Sequence, residues 1–63
     1  MCLSTVYGRR GQEEEQVLCN NVSMIQVEDN NIRLTDVLGC DMIVPGALVS
    51  ADLTQGVVVI ALS

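Results

Sequence analysis

The run Val57-Val58-Val59-Ile60-Ala61-Leu62 carries no charge and no proline, and most of its residues favour extended backbone. On the open edge of a sheet such a strand would template aggregation, so it has to lie centrally or be covered by a second chain. In a chain of 63 residues this one strand supplies much of any core. A chain this short buries only roughly 60% of its unfolded surface, and small folds of this kind usually gain stability from a metal, disulfides or association. Residues 1–63 therefore read as a single domain with no room for a large catalytic cleft.

The rest of the chain is also patterned for strands. Val22 to Val27 half alternates between apolar and polar residues, Asp29-Asn30-Asn31 tolerates the positive φ of a tight turn, and Ile32 to Thr35 alternates again. Val22 to Thr35 is thus predicted to be a β-hairpin. Ala47 to Leu53 and Val57 to Leu62 flank Thr54-Gln55-Gly56 and predict a closing hairpin in which Gly56 takes the left-handed position. A first strand is expected from Cys2 to Tyr7, ending in a turn at Gly8 to Gly11. A short strand, Met42 to Val44, is expected to stop at Pro45-Gly46. Gln12 to Leu18 is open: Glu13 to Glu15 favour a short helix or a solvated face, Val17 and Leu18 a strand. The fold class is all-β, a small SH3-like barrel or rolled antiparallel sheet of five to seven short strands, in which closure removes most edges.

Charge and composition exclude several functions. Eight acids face three arginines, Arg9, Arg10 and Arg33, with no lysine, giving a net charge of −5; this field repels phosphate, so nucleic acid is not expected as a partner. Histidine is absent, which removes serine–histidine and cysteine–histidine catalysis. Asp36, Asp41 and Asp52 show no convergent spacing, and Gly8-Arg9-Arg10-Gly11 lacks the strand–loop–helix context of a phosphate cradle. An enzyme is not expected. Cys2, Cys19 and Cys40 form neither a disulfide framework nor a zinc ribbon. Met1 to Tyr7 leads into Arg9 and Arg10 without the apolar run of a signal peptide, and Val57 to Leu62 is far shorter than a membrane span. The chain reads as reduced, soluble and cytoplasmic. Cys19 and Cys40, like Met24 and Met42, sit among apolar residues and are expected to pack in the core.

Cys2 differs from the other cysteines by its place in the chain. With Met1 retained, the terminal amine, the Cys2 amide nitrogen and the Cys2 thiolate can close two fused five-membered chelate rings. With Met1 removed, the amine and thiolate of Cys2 close one. Nitrogen and thiolate donors in a plane suit low-spin Ni(II), and the same sulfur would take Cu(I) or Zn(II). The plain alternative is that Cys2 is only the apolar start of the first strand.

Met1-Cys2-Leu3 before a β-prone run, the central hairpin around Val27 to Ile32, the turn at Val44-Pro45-Gly46 and the apolar last strand resemble the CooT family of small nickel-binding accessory proteins. The resemblance spans essentially the whole chain. It implies a metallochaperone that holds Ni(II) through Cys2 and its backbone nitrogens and serves the maturation of a client nickel enzyme, carbon monoxide dehydrogenase. It also implies that two chains can pair, as a homodimer on metal loading, so that both Cys2 thiolates meet one ion. Cys19 and Cys40 fall outside the shared pattern. Two other readings compete: an SH3-like interaction module, docking a partner by an exposed edge or by Glu13 to Glu15, would be indifferent to Cys2. A redox sensor linking two chains through Cys2 would need an exposed, readily ionised thiol.

Overall fold

The computed structural model describes residues 3–63 and consists of five strands: β1 (Ser4–Arg9), β2 (Gln16–Val27), β3 (Asn31–Asp36), β4 (Asp41–Asp52) and β5 (Val57–Leu62). They close into a barrel in the order β1-β2-β3-β4-β5. Each strand turns back on the one before, so neighbours are antiparallel, and with an odd number of strands the first and last run the same way. Closure therefore pairs β1 with β5 in parallel, from Thr5 opposite Val57 to Arg9 opposite Ala61. Val57 to Leu62 thus lies between β4 and β1 with both edges paired, the placement its sequence demands.

Five strands make a barrel because two of them are long and shared. β2 pairs with β1 through its first half and with β3 from Val22 to Val27. β4 pairs with β3 from Asp41 to Pro45 and with β5 from Gly46 to Asp52. Each long strand must bend where it changes partner. β2 bends at Asn21, whose φ of 56° is one that asparagine accepts more readily than most residues; its carbonyl takes the Val37 amide at 2.9 Å. β4 bends at Pro45-Gly46. The expectation that this dipeptide ends the strand is therefore corrected: proline lies opposite Asn31 at the last β3 pair, where β4 leaves that strand, and Gly46 opens the pairing with Leu62. Gly46 has φ 154°, and a Cβ there would stand 2.2 Å from the Ala61 carbonyl oxygen.

The core is aliphatic and small. Val6, Ile32, Leu34, Val58 and Ile60 are fully buried, with Val22 and Val44 beside them. Burial of each such side chain contributes about 1.5–3 kcal/mol. They alternate with outward residues along β1 and β3, as period-2 patterning requires.

Both predicted hairpins are present, with Glu28 donating to the Asn31 carbonyl at 2.9 Å in the first and Gly56 at φ 68° in the second. Two other expectations need correction, and one left open is decided. β1 does not turn at Gly8 but runs on to Arg9, because Gly8 stays paired with Gln16 on one side and Ile60 on the other; Leu18 from β2 packs over the position a Gly8 side chain would need. Of the alternatives open for Gln12 to Leu18, the solvated face and the strand are the ones present: residues 12–15 are exposed and Val17 and Leu18 lie in β2. Met24, Met42 and Cys40 are exposed, and only Cys19 is half-buried against the core. Met24 lies opposite Thr35, on the outward side of a ladder in which Leu34 faces the core, Met42 is the second residue of β4, and Cys40 follows the β3–β4 turn.

The β4–β5 turn is held by Asp52. Its carboxylate accepts from the Thr54 hydroxyl at 2.6 Å and from the Thr54 and Gln55 amides. The Thr54 hydroxyl first, then the Gln55 amide, keep this carboxyl below the usual aspartate range. The stabilisation is therefore present at neutral pH and is lost as pH falls through the lowered value. Thermal melts against pH should show the parent losing more stability in acid than Asp52→Asn; parallel curves for the two proteins would contradict this.

Candidate functional site

β1 is the rigid element from which the start of the chain projects. Ser4 is buried, the Thr5 amide donates to the Gly56 carbonyl at 2.8 Å, and the Thr5 hydroxyl lies 3.3 Å from the Asn20 side-chain oxygen. Val6 is fully buried and strand pairing continues on both sides of β1. The β4–β5 turn closes over this end, where a Cβ on Gly56 would come within 3.1 Å of the Leu3 carbonyl oxygen. Cys2 itself lies outside the described residues. The covalent chain alone keeps its Cα within about 7.6 Å of that of Ser4, two steps of 3.8 Å, so a metal held at Cys2 would be carried at this end of the barrel.

The structure does not bring the other cysteines into a common site. Cys19 faces inward from β2, opposite Val6, and its thiol donates to the Asn20 carbonyl at 3.6 Å. Cys40 is exposed. Among the described residues no group of three or more Cys, Asp or Glu side chains converges. Asp36 accepts the Leu38 and Cys40 amides, each at 2.9 Å, and Asp52 holds its own turn, so these two acids serve the backbone. Asp41 accepts the Thr35 hydroxyl at 2.8 Å. Glu13 to Glu15 are exposed, with Glu15 3.9 Å from Arg9, a surface pair of little energetic weight.

One feature at this end was not anticipated from sequence. Ser4, Val22, Ser23, Met24, Ile25 and Leu53 line a half-open groove of about 350 Å³. It exists because β2 carries an irregularity between Val22 and Met24, bridged by the Ser23 hydroxyl to the Thr35 and Asp36 carbonyls at 3.3 Å. The adjacent apolar pair Met24-Ile25, breaking strict alternation, is the sequence signal for such a bulge. No described helix is long and apolar enough to cross a membrane.

Comparison with known proteins agrees with this geometry. A search of the curated proteins gave no match. The fold is similar to the crystal structure of a protein described as a candidate CooT from Carboxydothermus hydrogenoformans, with a TM-score of 0.85 and 11% identity over 98% of each chain. The family model for the carbon monoxide dehydrogenase accessory protein CooT matches residues 1–61, Cys2 included. On that match the chain belongs to the CooT family, accessory proteins of carbon monoxide dehydrogenase and not themselves enzymes.

Proposed function

We propose that this protein is a cytoplasmic nickel carrier, a single domain over 1–63 that binds Ni(II) through the Cys2 thiolate and neighbouring backbone nitrogens and delivers it to carbon monoxide dehydrogenase. The observation that carries this reading is the family match across residues 1–61, which spans Cys2. The anchoring of β1 supports it: a strand zipped on both sides offers a fixed platform for a ligand two residues ahead of Ser4. Ni(II) is cargo here. Thiolate and deprotonated nitrogen donors favour its planar, low-spin form. Loading releases protons, so affinity falls as pH is lowered.

A single Cys2 terminus offers at most three donors, whereas planar Ni(II) takes four. A second chain supplies the remainder in this reading, with both Cys2 thiolates on one ion. Sedimentation of the nickel-loaded protein should give a dimer with one metal for two chains, together with sulfur-to-nickel charge-transfer absorption and diamagnetism. A strictly monomeric one-to-one complex would reject the shared site, and a paramagnetic complex without those bands would point to carboxylates such as Glu13 to Glu15 instead. Nucleic acid has no part in this function: eight acids against three arginines release too few counterions on binding to offset the repulsion. A gel shift with single-stranded RNA at physiological salt should stay blank, and tight salt-sensitive binding would overturn the statement.

A further inference from the structure

Leu38 is 84% exposed, yet it stands in a turn whose backbone is held at every amide. Between β3 and β4 the Gly39 amide donates to the Asp36 carbonyl and the Asp36 amide to the Cys40 carbonyl, each at 3.0 Å, with Gly39 at φ 88°. The Asp36 carboxylate accepts the Leu38 and Cys40 amides, each at 2.9 Å. The Val37 amide donates to the Asn21 carbonyl at 2.9 Å, which fastens the turn to β2 on the side away from β1. Each amide from Asp36 to Cys40 thus has its partner, and folding Leu38 back onto the barrel would break them.

Nothing in the turn itself calls for an apolar tip. The positions between Asp36 and Gly39 suit Asp, Asn or Ser equally well, and the stretches 10–15 and 28–30 that join the earlier strands are polar. Here Val37 is half exposed beside Leu38, and Met42 and Ile43, also exposed, follow in β4. Leu53, exposed in the β4–β5 turn, instead borders Ser4 near the start of the chain. The charge around the Val37-Leu38 tip is acidic: Asp36 begins the turn and Asp41, exposed, follows it. Arg33 is 3.4 Å from Glu28 and Arg9 is 3.9 Å from Glu15, both away from this turn. A second copy meeting the turn about a two-fold axis would set the same acids against each other, each chain carrying a net charge of −5. An apolar hollow edged by Lys or Arg is the complementary surface.

We propose that the Val37-Leu38 turn is the contact by which this accessory protein docks on carbon monoxide dehydrogenase, Leu38 entering an apolar hollow whose rim places Lys or Arg opposite Asp36 and Asp41. It rests on the client named in the proposed function and uses no residue of the proposed metal site. A turn already fixed gives up little freedom on binding, and a few fully covered anchors supply most of the energy of such contacts.

The test measures binding of the full chain to nickel-free carbon monoxide dehydrogenase by biolayer interferometry, for the parent, Leu38→Gln and Asp41→Asn, each metal-free and nickel-loaded. Leu38→Gln removes the apolar anchor and keeps the charge. It should weaken binding at least about tenfold, with Tm and nickel absorption unchanged because the site is exposed. Asp41→Asn, whose side-chain oxygen can still accept the Thr35 hydroxyl, should weaken binding severalfold at low salt and by less as salt rises. Equal binding of Leu38→Gln and the parent, or an affinity that does not fall with salt, would overturn the proposal. So would a metal-free dimer in sedimentation that Leu38→Gln dissolves, which would assign the turn to a second copy. A parent that takes nickel through Cys2 yet binds the enzyme in neither state would overturn the docking contact and leave the metal site standing. Leu38-dependent binding by a parent that takes no nickel would support the contact and reject the nickel reading.

Discussion

Gly46→Ala is expected to remove most of the stability of the barrel. The methyl group would sit 2.2 Å from the Ala61 carbonyl oxygen and 3.1 Å from the Leu62 Cα, both backbone atoms of the central strand that cannot swing aside, and the φ of 154° is unfavourable for any L side chain. Backbone strain of this kind costs about 1–3 kcal/mol and overpacking about 1–3 more. A domain of this size has only about 3–9 kcal/mol in total. A loss near 3 kcal/mol lowers Tm by roughly 15–25 °C in a chain this small. Thermal melts followed by far-ultraviolet circular dichroism would measure it, and a fall of less than about 5 °C would mean that the corner is not the tight crossing described.

That corner also marks where sequence reading stops. Pro45-Gly46 carries local turn chemistry, and on local grounds it ends a strand. Its actual role is fixed by β5, which comes close enough to forbid a Cβ, and a partner that far along the chain leaves no trace in the dipeptide. The hairpin around Asp29 to Asn31 is legible because turn and register are set by adjacent residues. The burial of Val57 to Leu62 is legible because no other placement is safe for so apolar a strand. The parallel closure of β1 on β5 follows only once the number of strands is known.

Side-chain placement divides the same way. Ile32 and Leu34 alternate with polar neighbours and are buried as their pattern implies. Met24 and Met42 are apolar residues in apolar strands, and the sequence holds nothing to say that the irregularity after Val22 turns Met24 to the outward side or that Met42, at the start of β4, is left uncovered. The groove that Met24 lines depends on the bulge at Ser23 and on Leu53 arriving from the β4–β5 turn. The candidate metal residue is the opposite case: Cys2 lies outside the described residues and is proposed from the sequence, because the nitrogens that could chelate with its thiolate are neighbours in the chain and need no fold to assemble them.

The proposed nickel site depends on the Cys2 thiolate. Losing a group that merely supports a metal ligand commonly costs 10–100-fold in affinity, so removing the thiolate itself should cost at least on the order of a hundredfold. Cys19→Ser, at a half-buried site, is expected to lower stability somewhat, and Cys40→Ser, at an exposed one, to be nearly neutral; neither should release nickel. The decisive measurement is a Ni(II) titration of Cys2→Ser beside the parent at neutral pH, following sulfur-to-nickel absorption and free metal, with circular dichroism to establish that the sheet is intact. The expected result is a folded variant that has lost both the absorption and tight binding; a folded Cys2→Ser protein that binds Ni(II) as tightly as the parent would contradict the proposed terminal site.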